Sequence, residues 1–294
     1  MLKISRENCV YAMSAANAPA AHIKPGERVL FETHDCFTGQ IKQPGDFSGI
    51  SWDKVNPATG PVFVEGAEVG DVLAVYIEKI HVADKGVVVA CTGVGALGHM
   101  VAENQAKILP IVDDKVVFSD KISFPINKMI GVIGTAPAEG EIPCGEPGEH
   151  GGNMDCKDIT EGTTVYLPVN VAGGLVALGD LHAAMGDGEI SLTGLEICGE
   201  VTVKIDLIKK GQTNLPAPSI MNDTQVMTLA SHQTLDIAAD RAIVKMAEYM
   251  VAEGFTPEEA TMLISLAGDV RVCQMVNPLR TLRVVMPKAI FGNL

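Results

Sequence analysis

Residues 1–210 contain short β-prone runs that begin at turns rich in Gly and Pro. The clearest of these runs lie at 28–33, 72–82, 163–169 and 201–208. Within the last run, apolar residues alternate with mostly polar ones, which is the period of a half-buried strand. The pattern therefore predicts a β-rich body over 1–210.

The pattern changes after a connector at 210–218, where a helical period replaces the period of two. A first helix is predicted to present one apolar face, made of Leu235, Ala239, Ala242, Ile243, Met246 and Met250. A second helix is predicted to begin with the capping box Thr256-Pro257-Glu258-Glu259 and to end at Gly268. Its predicted apolar stripe is Met262, Leu263 and Leu266. A closing strand is expected at 281–286.

These elements predict a mainly β fold, of a β-sandwich or barrel-like type with Gly-rich turns. An α+β C-terminal lobe over 211–294 is expected to pack on the body, because it is too short to form a core alone.

Composition and charge narrow the functional classes. The 294 residues include 22 Lys plus Arg and 36 Asp plus Glu, for a net charge of −14. An acidic chain without Lys/Arg clusters argues against nucleic acid and against anionic membranes as partners. The apolar fraction of 47% excludes a largely disordered chain. No apolar run approaches the ~18 residues that span a bilayer.

The seven cysteines are scattered and form no C-x-x-C pair. This usage is typical of reduced thiols and predicts a cytoplasmic protein rather than a secreted disulfide scaffold. Cys36 and Cys156 lie beside polar residues, so a thiolate nucleophile is conceivable there. An inert buried thiol explains both positions as well.

Three segments place a histidine near carboxylates in Gly-rich sequence. They are His34-Asp35, the segment 148–155 around His150, and the segment 179–189 around His182. Imidazole and carboxylate are the ligands of a catalytic Zn²⁺ or a related ion. On an extended segment, Asp180 and His182 share one face, and a turn at 185–188 lets Glu189 fold back towards His182. Taken singly, each histidine is also compatible with a structural role, since no spacing here is as diagnostic as H-E-x-x-H.

No other catalytic signature in the sequence predicts a function. The chain has no G-x-S-x-G nucleophile elbow. Residues 93–98 match G-x-G-x-x-G, but no βαβ pattern or acidic residue at a strand end accompanies them.

The two long motifs at 148–155 and 179–189 closely resemble the acetamidase/formamidase family. So do Asn56-Pro57-Ala58-Thr59-Gly60-Pro61 with Gly70-Asp71, and 129–134 with Ala136-Pro137. The resemblance extends over nearly the whole chain, in order, and is to the shorter branch of the family. Lys128 and Gly173-Gly174 depart from the family pattern, without touching the polar segments.

This resemblance implies a hydrolase that converts short linear amides such as formamide or acetamide to a carboxylate and ammonia. It also implies a β-rich fold, a homo-oligomer, for which a dimer is expected, and a divalent metal, with Zn²⁺ preferred and Ca²⁺ as the alternative. Apolar pocket residues would set the substrate range.

The predicted metal ligands are His34, Asp155 and His182, with Asp35 or Asp180 as a further ligand or as the partner that orients one. Glu189 is the predicted general acid/base. Gly151, Gly152 and Asn153 are expected to bind substrate, with backbone N–H groups available to an oxyanion.

Two other functions remain compatible with the sequence. One is a cupin-like metal enzyme, although the chain lacks an H-x-H pair. The other is a non-catalytic β-sandwich that binds a small molecule and holds calcium, for which clustered histidines are unnecessary.

Overall fold

The computed structural model describes residues 1–292, and strands dominate that range. This confirms the predicted mainly β fold, whose α-helices lie in the C-terminal part of the described range. Short 3-10 helices are also present, at Pro44–Gly49, Trp52–Lys54, Gly98–Met100 and Lys288–Ile290. The first eleven strands are β1 (Leu2–Ile4), β2 (Cys9–Val10), β3 (Ala12–Ser14), β4 (Ala21–Ile23), β5 (Glu27–Thr33), β6 (Ala58–Val64), β7 (Val72–Val82), β8 (Lys85–Ala90), β9 (Gln105–Val112), β10 (Lys115–Ser119) and β11 (Ile122–Pro125).

The remaining strands include those that build the site. They are β12 (Met129–Gly134), β13 (Glu141–Pro143), β14 (Pro147–Gly148), β15 (Gly151–Asn153), β16 (Thr164–Pro168), β17 (Val176–His182), β18 (Glu196–Ile197), β19 (Gly199–Ile208), β20 (Ser219–Met221), β21 (Gln225–His232), β22 (Asp269–Gln274) and β23 (Arg280–Pro287). All five strands predicted from the sequence are present, with ends that differ by a few residues.

Two large sheets and one small pair organise these strands. The first sheet has nine strands in the order β1-β5-β19-β7-β16-β20-β21-β23-β22. The second has twelve, with β11-β10-β9-β8-β18-β17-β12-β15-β14 in line and β6 joining β2, β4 and β17 beside it. Strands β3 and β13 form the small pair. The main core contains side chains of both large sheets, such as Phe31 from the first and Leu178 from the second. The sheets therefore pack on one another.

Two α-helices, α1 (Leu235–Ala252) and α2 (Pro257–Ala267), cover the C-terminal strands. The predicted capping box of α2 is present, with Thr256 and Glu259 each bonding the other's backbone N–H. The stripe predicted for α2 is wrong at Met262 and Leu266, which are 56% and 84% exposed. Ala260 is buried instead, with Leu263 and Ile264 packed beside it. In the described residues, neither helix is long and apolar enough to cross a membrane.

The chain on both sides of residue 210 contributes to one sheet. Strand β20 pairs with β16 of the body, and β21, β23 and β22 extend the sheet outward from it. The division into a body and a C-terminal lobe stays a prediction. The continuous sheet has a consequence for the site, because it carries the β22–β23 segment to the side of Gly188 and Asp155.

Candidate active site

The centre of the candidate site is the end of β17, in the interior of the second sheet. Strand β17 pairs with β12 on one side, with Met129 opposite His182. On its other side His182 lies opposite Glu196 of β18. Asp180 and His182 lie together, as predicted, with Asp180 Oδ1 3.6 Å from His182 Nε2. The extended backbone that the prediction assumed is absent, because Asp180 has a φ of +55°.

Four carboxylates surround the His182 imidazole. The distances from His182 Nε2 are 3.1 Å to Glu196 Oε1, 3.6 Å to Asp180 Oδ1, 3.8 Å to Asp155 Oδ1 and 4.0 Å to Glu189 Oε1. Two groups have ligand atoms close enough to share one ion: Asp155, His182 and Glu189, and Cys36, Asp180 and Glu196. His182 and these four carboxylate residues, Asp155, Asp180, Glu189 and Glu196, are called the His182 cluster below.

The cluster is buried and poorly paired. All five side chains are no more than 5% exposed. Both His182 nitrogens and one oxygen of each carboxylate have no hydrogen-bond partner among the described residues. Unpaired buried polar atoms are unfavourable by about 1–3 kcal/mol each, and more when charged. A group that supplies positive charge or donors at this point would remove that penalty.

Two glycines leave the space that these side chains occupy. A Cβ on Gly131 of β12 would lie 2.5 Å from Asp155 Oδ1 and 2.7 Å from Asp180 Oδ2. A Cβ on Gly194 would lie 2.5 Å from His182 Nδ1. Any larger residue at either position would displace a member of the His182 cluster.

Three of the carboxylates lie on backbone in the left-handed region. The φ angles are +41° at Asp155, +55° at Asp180 and +49° at Glu189. Such a conformation is uncommon for a residue with a side chain and is found mainly where the surroundings impose it. Here it turns all three carboxylates toward one imidazole. This is a local arrangement that the strand pattern in the sequence could not predict.

Burial and mutual repulsion shift the proton affinities of the cluster. Burial, with repulsion from Asp180, raises the pKa of Asp155 to about 6. Burial likewise raises the pKa of Glu196 to about 8 and that of Glu189 well above its ordinary value. Burial alone would lower the pKa of His182, but Glu196 and Asp180 outweigh it and raise that pKa. A carboxyl with a raised pKa can hold a proton at neutral pH and deliver it.

The Cys36 thiol belongs to the second ligand group. Burial, with the carboxylates of Glu196 and Asp180, raises its pKa well above the ordinary value. The thiol is therefore protonated at neutral pH in these surroundings, which does not favour a nucleophile.

A pocket of about 100 Å³ reaches the cluster from outside. Its polar wall contains Asp180, Glu189 and Glu196, together with Asn153 and Asn277. Its apolar wall is formed by Phe37, Trp52, Val55 and Leu192. The pocket thus joins a cluster of ionisable groups to a small apolar surface.

Several predicted residues lie elsewhere. His34 is partly exposed and belongs to neither ligand group in the described chain. Asp35 Oδ1 accepts hydrogen bonds from the backbone N–H groups of Phe37 and Gly39, both at 2.9 Å, so it stabilises a turn. Gly151 and Gly152 are part of β15 and pair with β12, and neither lines the pocket, whereas Asn153 does.

Sequence reasoning missed Glu196 and Asn277. Glu196 is a lone carboxylate between Leu195 and Ile197, and a charge inside an apolar run could have marked it. Asn277 Nδ2 donates to Asp155 Oδ2 over 2.8 Å, although the two residues are 122 positions apart. Nothing local in the sequence marks that contact.

Comparisons with known proteins agree on one family. The profile of the Acetamidase/Formamidase family matches residues 16–143 and 141–293. The crystal structure of acetamidase from Bacillus halodurans has 47% identity and a TM-score of 0.98, covering 100% of this chain and 99% of that one.

Two curated relatives are more distant. The formamidase of Methylophilus methylotrophus is 26% identical over 84% of this chain and 80% of its own. A Schizosaccharomyces pombe relative, named as a candidate formamidase, is 28% identical over 69% of this chain. In that relative the match spans 64% of its length. Since the profile matches nearly the whole sequence, this chain belongs to the acetamidase/formamidase family.

Proposed function

We propose that this protein hydrolyses short linear amides to a carboxylate and ammonia at the His182 cluster. The observation that supports this most is the 100 Å³ pocket, which is lined both by buried ionisable groups and by apolar side chains. That volume suits a molecule of a few heavy atoms. The names of the relatives, acetamidase and formamidase, agree with such substrates.

We further propose that Asp155 and His182 hold a divalent cation there, as the sequence predicted, with Asp180 in place of His34. The fit rests on the buried donor atoms that lack partners in the described chain, Asp155 Oδ1, Asp180 Oδ1 and His182 Nε2. One imidazole nitrogen combined with carboxylate oxygens suits Zn²⁺ better than Ca²⁺, which prefers oxygen alone. When bound, such an ion would polarise the amide carbonyl and lower the pKa of a water molecule.

Glu189 is assigned the proton transfer. It lines the pocket, and its carboxyl is almost fully buried beside Asp155, which raises its pKa. With a divalent cation bound beside it, this carboxyl would be held in its ionised form, which could take a proton from the attacking water and hand it to the departing nitrogen. Without that proton the amide nitrogen would be a poor leaving group.

Two neighbours complete the site. Glu196 lies opposite His182 in the β17–β18 pair, with its Oε1 3.1 Å from His182 Nε2, so its negative charge would add to the attraction for a cation at that nitrogen. Asn153 lines the pocket with an unpartnered Oδ1, which can accept from a substrate N–H. An amide bound between Asn153 and the apolar wall would present its carbonyl carbon to the cluster.

The first test is ammonia release from formamide and acetamide. The protein is stripped with chelator and then given Zn²⁺, Ca²⁺ or Mn²⁺ separately. Release restored by Zn²⁺ alone is expected. If chelation does not change the release, the protein is an amide hydrolase and the proposed role of the metal is wrong. If no ion gives release, the proposed hydrolysis of these two amides is wrong.

The role of Glu189 is tested by Glu189→Gln. We expect kcat to fall about 10²- to 10⁴-fold, to a small residual rate, while the stoichiometry of bound metal, measured by mass spectrometry, is unchanged. If metal is lost together with activity, Glu189 is a ligand and the acid/base must be sought at Glu196.

We propose a dimer because the sequence resembles the family, and sedimentation velocity would test this oligomeric state. Cytoplasmic location is proposed on the cysteines, all seven of which are free in the structure.

A further inference from the structure

Arg283 is a charged side chain buried beneath the loop that carries Glu189. It extends from β23 and is 0% exposed. Its Nη2 donates to both oxygens of Asp187, at 3.0 and 3.2 Å, and its Nη1 donates to the backbone oxygen of Val272 at 2.9 Å. Asp158 pairs with the same guanidinium. The planar guanidinium thus binds Val272 through Nη1, Asp187 through Nη2 and Asp158 through Nε, and this fixes its direction relative to Asp187.

The same strands hold the loop backbone. The N–H of Gly188 donates to the oxygen of Cys273 at 2.9 Å, and the N–H of Met275 donates to the oxygen of Gly188 at 3.1 Å. Gly188 has a φ of +98° and Glu189 a φ of +49°. The chain therefore reverses sharply between Asp187, which points to Arg283, and Glu189, which points to His182.

Burying an arginine is unfavourable unless its partners compensate, and an apolar residue would pack a core at lower cost. The geometry around Arg283 offers a reason for its presence, because its carboxylate partner is only two residues from Glu189. We infer that Arg283, acting through Asp187, is a positioning residue that sets the Glu189 carboxylate in the pocket. The effect of Arg283 on kcat that we expect rests on the proposed amide hydrolysis.

The primary test variant is Asp187→Asn, which keeps the shape of the side chain and removes its charge. Arg283→Lys is the second variant, since it keeps the charge and loses the fork. The matched control is Asp71→Asn. Asp71 is 3% exposed, pairs with Lys209 at 2.6 Å, and lines neither the pocket nor the Glu189 loop.

With acetamide as substrate, both test variants should lose about 10- to 100-fold in kcat with KM little changed, because a displaced group acts on the chemical step. The control should lose thermal stability without this loss of kcat. The Glu189→Gln background provides a further check. There, Asp187→Asn should add no further loss to the residual rate, because the two act as a unit.

Hydrogen–deuterium exchange tests the positioning independently of catalysis. The amides of Gly188 and Met275 should exchange faster in Asp187→Asn and at the wild-type rate in Asp71→Asn. Unchanged exchange and unchanged kcat would overturn the inference. If wild-type protein releases no ammonia, the proposed function fails, and the exchange data alone still decide whether Arg283 positions the loop.

Discussion

The side-chain amide of Asn277 donates to Asp155 Oδ2 over 2.8 Å and so brings the β22–β23 segment into the candidate active site. This bond occupies one carboxylate oxygen and leaves the other, Oδ1, facing His182 at 3.8 Å. Asn277 is 9% exposed and also lines the pocket. The site is thus assembled from segments that are 122 positions apart in the sequence.

Asn277→Ala should weaken metal binding or turnover about 10- to 100-fold, because removing the partner that orients a ligand has effects of this size. Metal affinity measured by competition with a chromophoric chelator, together with kcat/KM for acetamide, checks this. Asn214→Ala is the control, since Asn214 bonds only at the exposed end of α1. Equal behaviour of the two variants would show that the bond to Asp155 has no role.

Gly131→Ala should abolish activity while leaving the fold largely intact. The added Cβ would meet Asp155 Oδ1 at 2.5 Å and Asp180 Oδ2 at 2.7 Å, so at least one carboxylate must move. Activity assays with circular dichroism on the same samples check this. Gly45→Ala, which has open space around its Cβ, should behave as wild type. An active Gly131→Ala enzyme would mean that the two carboxylates need not lie where they do.

The sequence predicts the centre of this site well and its periphery poorly. Asp180, His182 and Glu189 lie within ten residues of one another, so the sequence could predict that they are close. The left-handed backbone at Asp180 and Glu189, which directs their carboxylates, does not follow from strand periodicity. His34 also follows a strand and precedes a carboxylate, but the turn held by Asp35 leaves it outside the cluster. Local pattern does not determine where such a turn directs a side chain.

The same limit applies to the fold. Strands with a regular period were predicted to within a few residues, whereas two of the three residues predicted for the α2 stripe, Met262 and Leu266, are exposed. A short helix with many apolar residues has more than one face that could be buried. The strands that pack against it determine which face is buried, and the sequence of the helix alone does not show this. Glu196 and Asn277 reach the site in the same way, through tertiary pairing rather than local spacing.

His150 should make the protein less stable as the pH falls. Its ring is 3% exposed with both nitrogens unpartnered among the described residues, and burial lowers its pKa to about 4. Below the ordinary value of about 6.5 the unfolded chain takes up a proton here, while the folded protein does not until about pH 4. Folding stability should therefore decline across that window, by on the order of 3 kcal/mol.

Urea unfolding of wild type and His150→Phe from pH 4 to 8 tests this. The variant lacks the titrating ring, so the difference in unfolding free energy between the two proteins should change across the window in favour of the variant at low pH. The carboxylates of the His182 cluster titrate in both proteins and cancel in that difference. A difference independent of pH would show that His150 is protonated equally in both states.

Trp52 should limit the length of the substrate's acyl chain. It lines the apolar wall of the pocket while remaining 57% exposed, which places it at the mouth. Trp52→Ala would open that side with little effect on the core, since its ring contacts Phe47 only edge-on at 6.1 Å. A methylene in an apolar pocket is worth about 1–3 kcal/mol of discrimination, so the ratio of kcat/KM for butyramide over acetamide should rise about 10-fold or more.

The absolute rate for acetamide should change less, because the cluster that performs the chemistry is untouched. A ratio that stays constant, with both rates reduced equally, would place Trp52 in the support of the 43–56 segment rather than in substrate selection.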